Sequence, residues 1–389
     1  MDSDKPLRKS LAGAVSTGEP RPAPGEAPFY LREMRATIVD LFDHKPWIYW
    51  ADFLLTTAIG YAGGAAYLTA TFLSVRQVLA FFVAGFAIFR AATFIHEIVH
   101  MRQGLMPAFR VAWNVLFGVP MMMPSLLYSN HTDHHRRRHY GTEHDGEYQP
   151  FARRPISHLA RYWGLALAMP LLAYFRFLIL VPLSLVNPRL RRWLFERFSS
   201  YGFNFRYRRE PSKSEPYQWW LLTDVACFAC AVGLAASVLR GRLSPNQLLG
   251  IYLLAVFTIG LNWLRNLAGH HFRNEGGELS AMEQLADSVT ISGHPLLTEL
   301  LFPLGLRYHA LHHLYPSLPY HALGTAHRRL MATLPADAVY RQTVYPSFWS
   351  VLKTLVGESL AATRHEPAQQ PASERLSHEL GWLEPLQRG

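Results

Sequence analysis

Long apolar stretches alternate with basic blocks along this chain. The stretch 53–75 is uncharged, and 77–95 contains only Arg90. Each approaches the roughly 20 apolar residues that a helix needs to cross a hydrocarbon core of about 30 Å. Because almost nothing separates them, they predict a tight transmembrane hairpin. The stretches 219–239 and 243–264, joined by a short Arg-Gly-Arg turn, predict a second hairpin.

Two further apolar stretches are predicted to lie along the membrane interface without crossing it. The stretch 111–130 contains Pro120 and Pro124, which would break a helix. The stretch 162–188 contains Arg176 and two prolines. A single crossing by either would also place the histidine clusters that flank it on opposite faces of the membrane. We therefore predict an all-α integral membrane protein with four transmembrane helices in two hairpins.

The ends of the chain are predicted to be polar extensions of one membrane domain. Residues 1–28 are polar and proline-rich and contain no apolar core for a secretion signal. This pattern predicts a disordered leader over 1–45, a membrane domain over 46–335 and a polar C-terminal tail over 336–389.

Composition and charge point to a membrane and not to nucleic acid. Half of the residues are hydrophobic, 17% are charged, and the formal net charge is +10. Lys and Arg beside apolar spans are typical of the cytoplasmic face of a membrane protein. We predict a multi-pass protein of the cell membrane with both termini on the cytoplasmic side, and no nucleic-acid partner. Cys227 and Cys230 lie in an apolar stretch, which favours buried thiols over a redox pair.

Eight of the nineteen histidines form three clusters with metal-ligand spacing. Residues three and four apart are neighbours on a helix, so each cluster is predicted to direct its imidazoles at one point. Imidazole binds iron, zinc, copper and nickel. Three such clusters favour metal binding over the alternative that these histidines are ordinary core residues. The clusters are His96 and His100; His131, His134 and His135; and His309, His312 and His313.

The order HxxxH, HxxHH, HxxHH, with apolar hairpins before the first and third clusters, resembles the membrane fatty acid desaturase family over roughly residues 50–330. The resemblance implies four transmembrane helices capped by a cytosolic helical domain, in which the clustered histidines hold two irons. Residues 266–270 resemble the family's Asn-x-Ala-x-His element. This match implies that His270 is a ninth ligand and that Asn266 reaches iron through water. His270 also leaves its apolar span at a position like that of His96.

Several site assignments remain open at this stage. His139 and His271 are alternative ligands. The first cluster is also an HExxH motif, which fits a membrane zinc hydrolase with Glu97 as its base, although the further carboxylate ligand such enzymes need is not evident. Five carboxylates are candidates to accept the second ring N–H of the ligands. They are Asp133, Glu143, Asp145, Glu147 and Asp287.

The resemblance implies an oxygen-dependent desaturase that introduces a double bond into a fatty acyl chain, with no catalytic side chain beyond the metal centre. A hydroxylase, acetylenase or carotenoid oxygenase would use the same ligands, and a non-catalytic lipid- or metal-binding protein is a further alternative. The basic blocks 136–138 and 189–192 would bind an anionic head group or form a solvated face. With no fused haem, flavin or iron–sulfur signature evident, an external donor is implied: a ferredoxin, or a cytochrome b5-like protein with its reductase.

Overall fold

The computed structural model describes residues 26–200, 204, 207–211 and 216–365. Residues 1–25 of the predicted leader and 366–389 of the predicted tail lie outside this range. The described residues contain sixteen α-helices: α1 (Glu26–Thr37), α2 (Pro46–Thr69), α3 (Val75–His100), α4 (Pro107–Trp113), α5 (His131–His134), α6 (Ile156–Phe175), α7 (Val181–Val186), α8 (Pro188–Arg197), α9 (Tyr217–Leu239), α10 (Pro245–Asn266), α11 (Ala281–Asp287), α12 (Pro295–Leu301), α13 (His309–Leu314), α14 (Tyr320–Thr333), α15 (Val339–Gln342) and α16 (Phe348–His365). Two short strands, β1 (Thr290–Ile291) and β2 (Val344–Tyr345), pair in parallel.

The predicted all-α fold class is confirmed. In the part of the chain that the structure describes, four helical segments are long and apolar enough to cross a membrane: Val75–His100, Ile156–Val186, Tyr217–Leu239 and Pro245–Asn266. Three of them coincide with predicted spans, whereas Ile156–Val186 contains the stretch predicted to be interfacial. The predicted span 53–75 is α2, which is also long enough to cross but does not reach the hydropathy of these four.

Small residues allow α2 and α3 to pack closely as a hairpin. A Cβ atom added to Gly63 would lie 3.2 Å from the backbone of Ala84, so the two helix backbones are nearly in contact there. Close approach through small residues is a common way for helices to associate in a bilayer. The hairpin is also cross-linked by a two-pronged ion pair between Arg90 and Asp52, with N–O distances of 2.6 and 2.8 Å.

The second pair of predicted spans is separated by the chain between 156 and 186. The helix α9 packs mainly against residues 176–186, and α10 packs against α3 and α6. The Tyr174 hydroxyl donates a hydrogen bond to the Ala231 carbonyl of α9 at 3.1 Å. The two helices are therefore joined as a hairpin in sequence, but another helix lies between them.

Both ends of the segment Ile156–Val186 lie at the same end of the bundle. Near its start, the ring of Tyr162 stacks on Trp263 in the last turn of α10, with ring centroids 4.4 Å apart. After a π-helical turn, Val181 packs with Trp220 in the first turn of α9. Asn266, in the last turn of α10, shares a cavity with clustered histidines, and Trp220 packs on Arg209, which donates to Ser129, two residues before His131. These contacts favour a segment that enters and leaves on one side, and the absence of a crossing there stays a prediction.

A buried ion pair holds this segment to α9. Arg176 donates to Asp224 Oδ1 at 3.0 Å, and their side chains are only 8% and 4% exposed. Arg191 of α8 donates to the other oxygen of Asp224 at 2.7 Å. One carboxylate is therefore shared by two guanidinium groups, one of them deep in an apolar helix, and it offsets one of their two positive charges.

Both terminal extensions were predicted to be longer than the structure allows. The leader was predicted to be disordered to residue 45, but α1 and the 3-10 turn Val39–Phe42 are folded, and Met34 and Ile38 are fully buried. The tail was predicted from residue 336, but α16 buries Phe348 and Val351. Both helices are amphipathic, and their narrow apolar faces are covered by the body of the protein.

Candidate metal centre

The nine predicted histidines converge where α3, α5 and α13 meet the chain that follows α10. They form two groups, and within each group the candidate ligand atoms all lie within 4.8 Å of one another. Their role as metal ligands stays a prediction, but every one of them is at the site. We call His96, His100, His131, His135 and His312 the five-histidine group, and His134, His270, His309 and His313 the four-histidine group.

Each HxxHH motif divides its histidines between the two groups. All three imidazoles of a motif were predicted to point at one place, and this was wrong. In the second motif, His131 and His135 face the five-histidine group and His134 faces the other. In the third motif the pairing is reversed, since His309 and His313 share a group and His312 joins the other. In each motif the two histidines four residues apart belong to the same group, whereas the histidine three residues after the first belongs to the other group.

Ring nitrogens approach one another closely in the five-histidine group. The Nε2 atoms of His131 and His135 are 3.0 Å apart, and those of His135 and His312 are 3.2 Å apart. The His96 ring is completely buried against these rings. Neither of its nitrogen atoms has a hydrogen-bond partner among the described residues.

The four-histidine group has the same arrangement around His270. Its Nε2 atom lies 3.1 Å from Nε2 of His134 and 2.9 Å from Nε2 of His309. The Nε2 atom of His313 lies 3.1 Å from that of His309. Four nitrogens therefore face a common point within a buried site.

Carboxylates that accept hydrogen bonds from two of the candidate ligands determine which ring nitrogen carries the proton. His131 Nδ1 donates to Glu147 at 2.9 Å, and His134 Nδ1 donates to Asp145 at 2.8 Å. Asp145 also accepts the backbone N–H of Gly141 at 2.8 Å. With Nδ1 protonated, the Nε2 atoms carry lone pairs that point into the groups.

These lone pairs face one another, so protons alone do not satisfy them. Burial lowers the pKa of His309, His312 and His313 well below the usual range, which leaves neutral rings at pH 7. Burial opposes ionisation of Glu147, but His131 holds the pKa of that carboxyl below its usual value. Converging neutral imidazoles backed by carboxylates are the usual surroundings of a bound metal ion. The donor set therefore fits one metal in each group.

His270 is supported through a tyrosine. Its Nδ1 donates to the Tyr140 hydroxyl at 2.7 Å, and that hydroxyl donates to Asp287 Oδ2 at 2.6 Å. Of the five candidate carboxylates, Asp145 and Glu147 bond directly to the clustered rings and Asp287 does so through Tyr140. Asp133 instead pairs with Arg136, while Glu143 is exposed. Tyr140 was not identified from the sequence, because it belongs to no motif and its bonding partner His270 lies 130 residues later in the chain.

Replacing Tyr140 with phenylalanine should weaken metal binding at the four-histidine group by about 10- to 100-fold, the usual effect of removing a group that holds a ligand from behind. The ring would remain, but the link from His270 to Asp287 would be lost. Metal affinity measured by competition with a chelator checks this expectation. Tyr345→Phe is the matched control, because that hydroxyl bonds to His271, outside both groups. Equal affinities in the two variants would contradict the role given to Tyr140.

Asn266 lies at a small cavity between the two groups. The cavity has a volume of about 20 Å³ and is lined by His96, His131, His270 and Asn266 among others. This is space for about one water molecule. The Asn266 Oδ1 atom accepts a hydrogen bond from Arg265 at 2.5 Å. The placement agrees with the predicted link through water, which stays a prediction.

The alternative ligands and the proposed zinc base lie elsewhere. His139 is 3.4 Å from Asp133 on the outer side of its segment, and His271 bonds to Tyr345 at 3.2 Å. Neither belongs to either group. Glu97 points away from the imidazoles and accepts a hydrogen bond from Tyr49 at 2.6 Å. A general base must reach the water that it activates, so this geometry does not support an HExxH hydrolase.

Comparison with known proteins gives two matches of different kinds. The family model described as "Fatty acid desaturase" matches residues 74–344. A protein of Caulobacter vibrioides (strain NA1000 / CB15N) named "Ceramide hydroxylase" is 38% identical over 348 residues, which is 87% of this chain and 97% of the relative. No solved structure matches the chain.

Proposed function

Because the chain belongs to the fatty acid desaturase family, we propose that it is a membrane lipid hydroxylase that uses O₂ and two irons held by the nine histidines. The observation that carries this proposal is the full-length similarity to a ceramide hydroxylase. Desaturation was the first expectation from sequence and hydroxylation its alternative. The relative makes hydroxylation the better supported outcome, with a ceramide-like lipid as substrate.

The donor set favours iron over zinc. Both groups consist of imidazoles, and among the described residues neither includes a thiolate or a carboxylate. Zinc in structural sites is almost always bound by four ligands, so a five-histidine group exceeds its usual number, whereas imidazole suits iron. When bound, the irons supply the redox chemistry that lets O₂ attack an unactivated C–H bond.

The protein's own residues would bind the irons and exclude bulk water from them. The histidines would bind the irons through the nitrogens that face each other, while Asp145 and Glu147 keep their partner rings in the required tautomer. Burial of the rings excludes bulk water. A lipid substrate is consistent with the exposed apolar side chains on the long helices, among them Leu79, Leu222 and Leu249.

Desaturation on the same scaffold is the second candidate, supported by the family match. Hydroxylation adds one oxygen atom to the lipid, whereas desaturation removes two hydrogen atoms. Both require electrons from outside the chain, for which we propose a separate carrier such as a ferredoxin or a cytochrome b5-like protein. We also propose that the histidine end of the bundle faces the cytoplasm, where the basic segment 136–138 and such a carrier would be found.

Mass spectrometry of lipids from a host that expresses the intact chain tests the proposed reaction. We expect ceramides that have gained one oxygen in cells with the wild-type chain and unchanged ceramides in cells with the His309→Ala variant. Ceramides or other acyl lipids that have lost two hydrogens would identify a desaturase instead. An unchanged lipid profile in a ceramide-producing host, with the protein inserted and loaded with iron, would contradict both activities.

A further inference from the structure

A buried carboxylate on α3 is not explained by the metal centre. Glu97 follows His96 directly and is 8% exposed. Its Oε2 atom accepts hydrogen bonds from the Tyr49 hydroxyl of α2 at 2.6 Å and from the Tyr320 backbone N–H at 3.3 Å. Burying a carboxylate is unfavourable unless hydrogen bonds replace its water, so this position needs a reason.

Glu97 belongs to a polar network that continues away from the histidines. The Tyr320 hydroxyl donates to Asp52 Oδ2 at 2.9 Å. Asp52 is held by the guanidinium of Arg90, which also bonds to the exposed Glu299 at 3.0 Å. The network therefore connects α2 and α3 with the start of α14 and with α12. Aromatic rings enclose its inner end, where the ring centroids of Tyr49 and Tyr320 are 4.9 Å apart.

The network adds a polar link between α3 and the start of α14, which also pack together through the rings of Phe94 and Tyr320. Glu97 lies beside His96 on α3, and Tyr320 begins α14, the helix that follows α13 and its His312. The ring centroids of His96 and His312 are 4.3 Å apart. The four-histidine group takes no ligand from α3. The bond from Glu97 to Tyr320 therefore fixes the separation between α3 and the chain that carries His312. The five-histidine group depends on this separation, whereas the four-histidine group does not.

We propose that Glu97 is a positioning residue for the five-histidine group, which it serves by tying α3 to the chain that carries His312. The inference rests on the proposed metal function of that group. Without the carboxylate, the Tyr49 hydroxyl and the Tyr320 N–H lose a shared buried acceptor, and the contact between α3 and α14 keeps its apolar packing but loses the bond that fixes its exact position. Affinity for iron at the five-histidine group should then fall about tenfold, the lower end of the range for groups that hold ligands indirectly. The four-histidine group should keep its affinity.

Two background variants separate the groups in the test. In a His270→Ala chain the remaining iron is held by the five-histidine group, and in a His312→Ala chain it is held by the four-histidine group. Glu97→Ala should weaken iron binding about tenfold in the first background and leave it unchanged in the second. Glu97→Gln should restore most of the affinity, because its amide oxygen accepts a hydrogen bond. Iron affinity is measured by chelator competition on purified chains in detergent.

Controls distinguish positioning from general destabilisation. Glu299→Gln removes the exposed end of the network and should leave both affinities unchanged. If Glu97→Ala fails to insert, Tyr49→Phe replaces it and should weaken only the five-histidine group. Equal weakening of both groups, or no weakening in the His270→Ala chain, overturns the proposal while the di-iron function stands. A wild-type chain that binds no iron overturns both.

Discussion

Replacing His312 with alanine is expected to reduce formation of the lipid product by more than about 100-fold, beyond the effect of losing a group that merely supports a ligand. The His312 ring packs between the first and second clusters, with centroids 4.3 Å from His96, 4.6 Å from His100 and 4.7 Å from His135. It is the one ring that the third cluster contributes to the five-histidine group. Product is quantified by mass spectrometry, and iron per chain should fall from two to about one.

The matched control for this variant is His139→Ala. His139 follows His135 of the second cluster by four residues but lies outside both groups. Its loss should leave product and iron content close to wild type. If the His139 variant loses activity and the His312 variant retains it, the assignment of ligands proposed here is wrong.

Replacing Asp224 with alanine is expected to lower the free energy of unfolding by about 3–5 kcal/mol, the usual effect of removing one partner of a buried ion pair. The change leaves Arg176, whose side chain is 8% exposed, without its carboxylate partner, and Arg191 loses the same partner. Thermal unfolding of the purified protein in detergent, followed by the loss of monodisperse material, measures the effect.

Two comparisons define how this result is read. Asp40→Ala breaks an exposed pair with Arg329 and should leave the unfolding temperature nearly unchanged. The double replacement Arg176→Met with Asp224→Leu should recover much of the lost stability, because an apolar pair of similar size avoids the buried charge. An Asp224→Ala chain as stable as wild type would show that water reaches Arg176 in the folded protein.

The histidine spacing was sufficient to identify eight of the nine histidines that meet here but not their partition, and His270 was identified from the resemblance of residues 266–270 to the Asn-x-Ala-x-His element. Periods of three and four residues place His131, His134 and His135 on one helix face, and all nine predicted histidines do meet. Which of the two groups each ring joins depends on how α5 and α13 approach each other, which is a tertiary property. Tyr140 was missed for the same reason, because its contact with His270 exists only after the chain between them has folded.

The membrane segments show a similar boundary between local and tertiary information. Hydropathy identified α3, α9 and α10, because a long apolar run has few alternatives to a spanning helix. Hydropathy could not show that α6 would lie between α9 and α10. The short helix α1 was predicted to be disordered because Met34 and Ile38 make too small an apolar face to be recognised without the surface that they pack against.

Each histidine group combines candidate ligands from chain segments on both sides of the α9–α10 pair. The five-histidine group lacks His312, and the four-histidine group lacks three of its members, until the last third of the domain has been synthesised. A nascent chain that has inserted only its first hairpin therefore presents incomplete sites. If the two groups bind iron as proposed, we expect iron loading to be a late step of biogenesis, after the third cluster has been synthesised.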